Sequence, residues 1–187
     1  MKVTKAQALE NRARIVETAS TLFRERGYDG VGVADLMAAA GFTHGGFYKH
    51  FGSKADLMAE AAAAGFSQST ANIAGIDAAT FVKEYVSRKH RDGRGDGCTL
   101  AALSGDAARQ PESVKQTFAA GIESQLAILE REDGAASEDA KREARAKRID
   151  TLAHVLGAIV LSRACPDDSP LADEILEVCR SRILSQP

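Results

Sequence analysis

The sequence has 187 residues, with 24 Lys and Arg against 26 Asp and Glu and a net charge of −2. Hydrophobic residues make up 44% of the chain, which excludes a disordered chain and a nucleic-acid binder that is basic throughout. No apolar run approaches the ~20 residues of a membrane span. The 3 cysteines lack metal-ligand spacing. We expect a globular protein of the bacterial cytoplasm that needs no metal, cofactor or membrane.

Charge is unevenly distributed along the chain. Residues 1–54 carry a net charge of +3, and residues 55–187 carry −5. A basic N-terminal segment on an acidic remainder is typical of a small DNA-binding module attached to a body with another task. Prolines number only 4 and alanines are many, which favours helices throughout. The composition therefore predicts an all-α protein.

Two predicted helices precede a glycine turn. Residues 1–8 are expected to be a frayed polar terminus, and the first helix to span about 8–26. The second helix starts near Gly32 and ends at Gly41, because glycine adopts the left-handed conformation without a Cβ clash. Apolar residues at helical spacing would face a common core: Ile15, Ala19, Leu22, Phe23, Val33, Leu36, Met37 and Ala40.

A short helix over about 43–51 follows the turn. Thr43 is a good N-cap for it, and Phe47 and Phe51, four residues apart, can pack inward together. Ser53 caps the next helix. Helix, glycine-containing turn and short helix form the pattern of a helix-turn-helix, whose second helix reads base edges in the major groove. By position, the readers would be Thr43, His44, Gly45 and Gly46.

The segment GFTHGGFYKHFGSKADLMAEA resembles the second half of the DNA-binding domain of the TetR family of bacterial transcriptional regulators, and the pattern extends back to Arg12. The resemblance implies a three-helix helix-turn-helix domain at 1–53 and a helical effector-binding and dimerisation domain at 54–187, about nine helices in all. It also implies further DNA contacts, mainly to phosphates: Tyr48, Lys49, His50 and Lys54.

Two positions depart from the family pattern. Gly32 stands where the family usually has Ser or Thr, so a hydroxyl contact to phosphate is lost. His44 replaces a commoner lysine, which would make its contribution to DNA binding depend on pH. The second helix would then contact DNA through backbone N–H groups at its N-terminus.

The body is predicted to contain six further helices, at about 54–69, 78–90, 98–109, 111–132, 138–163 and 170–184. By resemblance, the last two helices form a homodimer interface, a four-helix bundle made from two such pairs. The alternative is that their apolar faces only complete the protomer core. The residues assigned to the interface are Leu152, Leu156, Ile159, Val160, Ile175 and Val178.

The family binds small effectors between helices of the body, and the motif Gly-Cys-x-Leu-x-x-Leu at 97–103 recurs in a subset of it. Cys98 lies at a predicted helix N-terminus, where the helix dipole stabilises a thiolate that could sense electrophiles or oxidants. The alternative is a small buried hydrophobe. The other pocket candidates, each of which could equally be plain core, are Phe66, Phe81, Tyr85, Leu103, Phe118 and Ile122.

The sequence holds no catalytic constellation or phosphate-binding glycine loop, so we do not expect an enzyme. The favoured interpretation is a repressor that binds a palindromic operator as a homodimer and is released by a small-molecule effector or by modification of Cys98. Two alternatives are an activator and a helical ligand-binding or enzymatic protein that has kept the DNA-binding head. The operator, the regulated genes and the effector are not encoded in any motif.

Overall fold

The structure is a computed structural model that describes residues 4–128 and 137–185. Over these residues the protein is all-α, as predicted, and it contains no strand. Nine α-helices and one 3₁₀-helix follow one another along the chain: α1 Lys5–Arg26, α2 Val33–Ala39, the 3₁₀-helix His44–Lys49, α3 Lys54–Ile73, α4 Ala78–Tyr85, α5 Arg88–Asp92, α6 Thr99–Ala107, α7 Glu112–Ile128, α8 Glu138–Arg163 and α9 Pro170–Leu184.

Local capping explains where several helices begin. The hydroxyl of Thr4 accepts a hydrogen bond from the backbone N–H of Gln7 at 3.2 Å, so α1 starts at Lys5. The prediction of a frayed terminus over 1–8 is therefore wrong for residues 4–8, and residues 1–3 lie outside the described part. The same arrangement at Ser53 starts α3 at Lys54, as predicted.

The predicted helix over 78–90 is two helices, because the backbone leaves the helical conformation at Val86, with ψ at 68°. The Ser87 hydroxyl accepts from the backbone N–H of His90 at 3.2 Å and starts α5. α3 also runs to Ile73 rather than 69. The predicted helix over 111–132 is observed as α7 up to Ile128, and its remaining residues lie outside the described ranges.

One continuous hydrophobic core runs from α1 to α9. α3 packs on α1 at its start and on α7 further along, so it belongs to both the N-terminal head and the body. Leu57 on α3 is fully buried, and Phe66 packs edge-on against Phe118 with ring centroids 5.3 Å apart. Burying each such side chain contributes about 1.5–3 kcal/mol. Since the core is continuous, the boundary between residues 1–53 and 54–187 stays a prediction.

Candidate DNA interface and effector pocket

The turn of the helix-turn-helix has the predicted geometry. Gly41 has φ at +81°, the left-handed conformation that favours glycine. The backbone N–H of Phe42 then donates to the Met37 carbonyl at 2.7 Å and closes the turn. Phe47 is fully buried and lies 5.5 Å from the Phe51 ring, so the predicted inward pair is confirmed.

The helix that follows the turn differs from the prediction in type and length. It is a 3₁₀-helix over His44–Lys49, where an α-helix over 43–51 was predicted. Two successive glycines, Gly45 and Gly46, favour helix formation poorly, which explains the short element. Thr43 occupies the N-cap position, yet its side chain makes no capping hydrogen bond.

The predicted DNA contacts fall into two groups. Thr43, His44, Gly45, Tyr48 and Lys49 are exposed, Tyr48 by 70%. A Cβ added at Gly45 would meet no atom within 4 Å, so the backbone there is open to an approaching surface. The second group is half-buried and consists of Gly46, His50 and Lys54. Which of these residues touch DNA stays a prediction.

Lys54 and His50 have partners within the protein. The Lys54 ammonium donates to the Tyr28 carbonyl at 2.6 Å, so it ties the start of α3 to the turn after α1. The His50 carbonyl accepts from Arg12 Nε at 3.3 Å. Arg12 also forms an ion pair with Glu60 of α3, whose hydrogen bonds raise the pKa of Arg12. These contacts hold α1 and α3 around the 3₁₀-helix.

The glycine at position 32 is partly compensated. Asp35 accepts a hydrogen bond from the backbone N–H of Gly32 at 3.4 Å, which is half of a capping box, since glycine has no side chain to return the contact. Arg14 of α1 stacks over the Phe42 ring with its guanidinium carbon 4.4 Å from the ring centroid. The turn is therefore supported from both neighbouring helices.

A cavity of about 170 Å³ opens in the body beside Cys98. Three predicted pocket residues, Phe81, Tyr85 and Cys98, line it, and Ile73, His90 and Gln125 join them. The other four predicted pocket residues do not line this cavity. Phe66, Leu103 and Phe118 are buried core residues, and Ile122 is exposed, because helical spacing alone does not say which apolar residue borders a void.

Cys98 occupies the N-cap position of α6, at the helix N-terminus as predicted, and is buried. Its backbone N–H donates to His90 Nε2 at 3.1 Å, so that nitrogen is unprotonated and Nδ1 donates to the Tyr85 carbonyl at 2.8 Å. Burial, assisted by the charge of Arg163, lowers the pKa of His90. The Gln125 amide contacts the Cys98 sulfur at 3.8 Å.

Arg24 was missed as a functional candidate. This α1 residue is only 4% exposed, its Nε donates to the Gly95 carbonyl at 2.6 Å, and its Nη1 donates to the Ser20 hydroxyl at 2.7 Å. Burial lowers the pKa of Arg24, while the charges of Asp96 and Cys98 oppose that shift. The segment between α5 and α6, which leads directly into Cys98, is thereby attached to the head. An arginine within the apolar stripe of the first helix was the available signal.

Arg163 forms the corresponding link to α8. Its Nε donates to the Arg91 carbonyl at 2.9 Å and its Nη2 to the His90 carbonyl at 2.8 Å. Arg91 is 2% exposed and donates from Nε to the Ser162 carbonyl at 3.2 Å. Arg91 therefore binds the end of α8, and the wall of the cavity is connected to α8 through His90.

The outer faces of α8 and α9 expose large apolar side chains. Of the six predicted interface residues, Val160 and Val178 are about half exposed, whereas Leu152 and Ile159 are buried inside the protomer. Leu156 and Ile175 are half-buried. The same exposed surface includes residues that were not predicted: Ile149, Leu161 and Leu171. The interface assignment stays a prediction, with Leu152 and Ile159 belonging to the core.

In the described part of the chain, no group of His, Cys, Asp and Glu side chains could hold a metal ion. Across residues 4–128 and 137–185, no helix is both long and apolar enough to cross a bilayer.

Comparisons with known proteins agree with the helix-turn-helix. Residues 15–61 match the family model of bacterial regulatory proteins, tetR family. The HTH-type transcriptional regulator TtgR of Pseudomonas putida is 44% identical over 55 residues, which cover 29% of this chain and 26% of TtgR. The HTH-type transcriptional repressor DhaR of a Mycobacterium species is 49% identical over 43 residues, covering 23% of this chain and 22% of DhaR. The chain thus spans about a quarter of the length of the curated relatives it matches.

Solved structures match over almost the whole chain. Reduced NemR of E. coli has a TM-score of 0.73 at 18% identity, covering 93% of this chain and 95% of NemR. AibR in complex with isovaleryl coenzyme A and operator DNA has a TM-score of 0.59 at 17% identity, covering 92% and 97%. These relatives are named as regulators, in agreement with the expectation that the chain is not an enzyme. The chain therefore carries the DNA-binding domain of the TetR family of bacterial regulatory proteins, on a helical body with the fold of that family's regulators.

Proposed function

We propose that the protein is a transcriptional repressor of the bacterial cytoplasm that binds a palindromic operator as a homodimer. The observation that carries this proposal is the exposed 3₁₀-helix His44–Lys49, held by buried Phe47 inside a segment that matches the family model. DhaR, a relative over that segment, is named a repressor, and AibR, a structural neighbour, was solved with operator DNA.

The exposed apolar face of α8 and α9 supports the dimer. Ile149, Val160 and Leu161 of α8 are 47%, 49% and 58% exposed, and Leu171 and Val178 of α9 are 53% and 51% exposed. Exposed apolar residues concentrated on two adjacent helices mark a protein interaction surface rather than ordinary scattered exposure. A two-fold axis through this face would place two 3₁₀-helices in successive major grooves, about 34 Å apart.

Release from DNA would start at the cavity beside Cys98. A bound small molecule, or modification of Cys98, would displace the segment before α6, and Arg24 would pass that displacement to α1 through the Gly95 carbonyl. Arg163 would pass it to α8 through the His90 carbonyl. Even about 2 kcal/mol of coupling would lower DNA affinity about 30-fold.

The first test measures binding to DNA from upstream of the protein's own gene by fluorescence anisotropy. Wild type and Cys98→Ser are compared with and without N-ethylmaleimide, a thiol-reactive electrophile; Cys165→Ser is the matched control, because Cys165 is more exposed and far from the cavity wall. Release of wild type and Cys165→Ser but not of Cys98→Ser would support sensing through Cys98. Binding unaffected by the reagent would leave repression by non-covalent effectors only.

The same experiment separates the alternatives. A ligand-binding protein that merely retains the head would bind DNA without preference for sequence. An activator would bind the operator yet raise transcription from it, which an in vitro transcription assay on the same DNA detects. Absence of specific binding at every tested operator would contradict the regulator proposal itself.

A further inference from the structure

The size of the cavity beside Cys98 limits what it can hold. Its volume is about 170 Å³. A dry engineered protein cavity of about 150 Å³ holds benzene, and sites for drug-sized ligands measure about 300–1,000 Å³. The space therefore suits one six-membered ring with a small substituent. A coenzyme A thioester, the kind of ligand bound by AibR, is far too large for it.

The cavity contains one polar group that lacks a partner. The Tyr85 hydroxyl is inaccessible to solvent and has no hydrogen-bond partner among the described residues. Burial and the neighbouring Cys98 thiol raise the pKa of Tyr85 well above its ordinary value, so the group stays a protonated donor. A buried hydroxyl without a partner costs free energy that a ligand acceptor would recover.

The charges around the cavity are negative. Glu84 and Asp96 line it and are both exposed at its mouth. No lysine or arginine is part of its lining within the described ranges. His90 is held in a neutral form, because its Nε2 accepts from the backbone N–H of Cys98. An anion in this space would face two carboxylates and find no cation.

We propose that the cavity selects a small uncharged ring compound with a carbonyl oxygen, bound by a hydrogen bond from the Tyr85 hydroxyl, and that it rejects carboxylates and phosphates. The ring would lie against Phe81 and Ile73, and the carbonyl would point towards Tyr85. The inference specifies the effector class of the proposed function and rests on that function only for its effect on DNA binding.

The test measures direct binding of two probes of equal size and opposite charge state to the full-length protein. Acetophenone and benzoate are titrated at millimolar concentration by ligand-observed NMR, the range expected for fragments of this size. Acetophenone should bind at least about tenfold more tightly than benzoate, because the two carboxylates repel only the anion. Benzoate binding equal to or tighter than acetophenone, or no binding of acetophenone, would overturn the inference.

Two variants locate the probe and check its recognition. Tyr85→Phe keeps the ring and should weaken acetophenone binding about threefold to tenfold, the value of one hydrogen bond. Phe118→Leu is the matched control, since it alters a core aromatic outside the cavity lining and should leave the affinity within about twofold. In Glu84→Gln/Asp96→Asn, benzoate should approach acetophenone. Unchanged acetophenone affinity in Tyr85→Phe would contradict the assignment.

The two proposals fail in different experiments. Operator binding is measured without any probe, and probe binding is measured without DNA. Specific DNA binding without acetophenone binding would leave the repressor and remove the ligand class, whereas acetophenone binding without specific DNA binding would do the reverse.

Discussion

Gly157 offers a test in which protomer stability and dimer affinity should change in opposite directions. It lies on α8 among the exposed apolar residues, one helical turn from Val160 and Leu161, and a Cβ added there would meet nothing within 4 Å in the protomer. Gly157→Leu should therefore stabilise the protomer by about 0.5–1 kcal/mol, the difference in helix propensity. In a symmetric interface the new side chain would enter twice.

Overpacking costs about 1–3 kcal/mol per site, so two sites cost about 2–6 kcal/mol and should weaken the dimer by a factor of about 30 or more. Analytical ultracentrifugation over a concentration series gives the dimer dissociation constant, and chemical denaturation gives the protomer stability. Gly105→Leu on α6 is the matched control, because a Cβ there also meets nothing within 4 Å but lies away from α8 and α9. A Gly157→Leu protein that dimerises like wild type would refute the assignment of this face.

Three further variants test the head, the link and the cavity wall. Lys49→Ala should reduce the slope of log affinity against log salt by about 0.9 per subunit, which salt titrations of DNA binding measure; an unchanged slope would exclude a phosphate contact. Arg24→Leu removes the hydrogen bond to Gly95 and should reduce effector-induced release from about 30-fold to about fivefold, with the melting temperature as a control for folding. His90 has a lowered pKa in the folded protein, so its contribution to stability is complete above its ordinary value near 6.5 and is lost as the pH falls below it. In His90→Gln, urea denaturation should show a shallower loss of stability with acid, and an identical pH profile would contradict the neutral, buried His90.

The sequence by itself determined the elements that depend on neighbouring residues. Gly41 marked the end of α2 because a left-handed residue is required there, and Phe47 and Phe51 marked the buried side of the next helix. α8 and α9 span the predicted ranges 138–163 and 170–184, since capping residues, charges and a proline at each start act locally. The motif at 41–61 was also sufficient to recognise the family of the DNA-binding domain.

Only the tertiary structure decided which side of an apolar helix faces the protomer. α8 is apolar on more than one side, so periodicity could not separate buried Ile159 from exposed Val160. It also decided that Arg24 and Arg163 are buried links, because a charged residue reads as a solvated one until backbone carbonyls from distant segments are placed beside it. The cavity itself is a gap between helices far apart in the chain, and such a gap depends on how whole elements pack rather than on any local pattern.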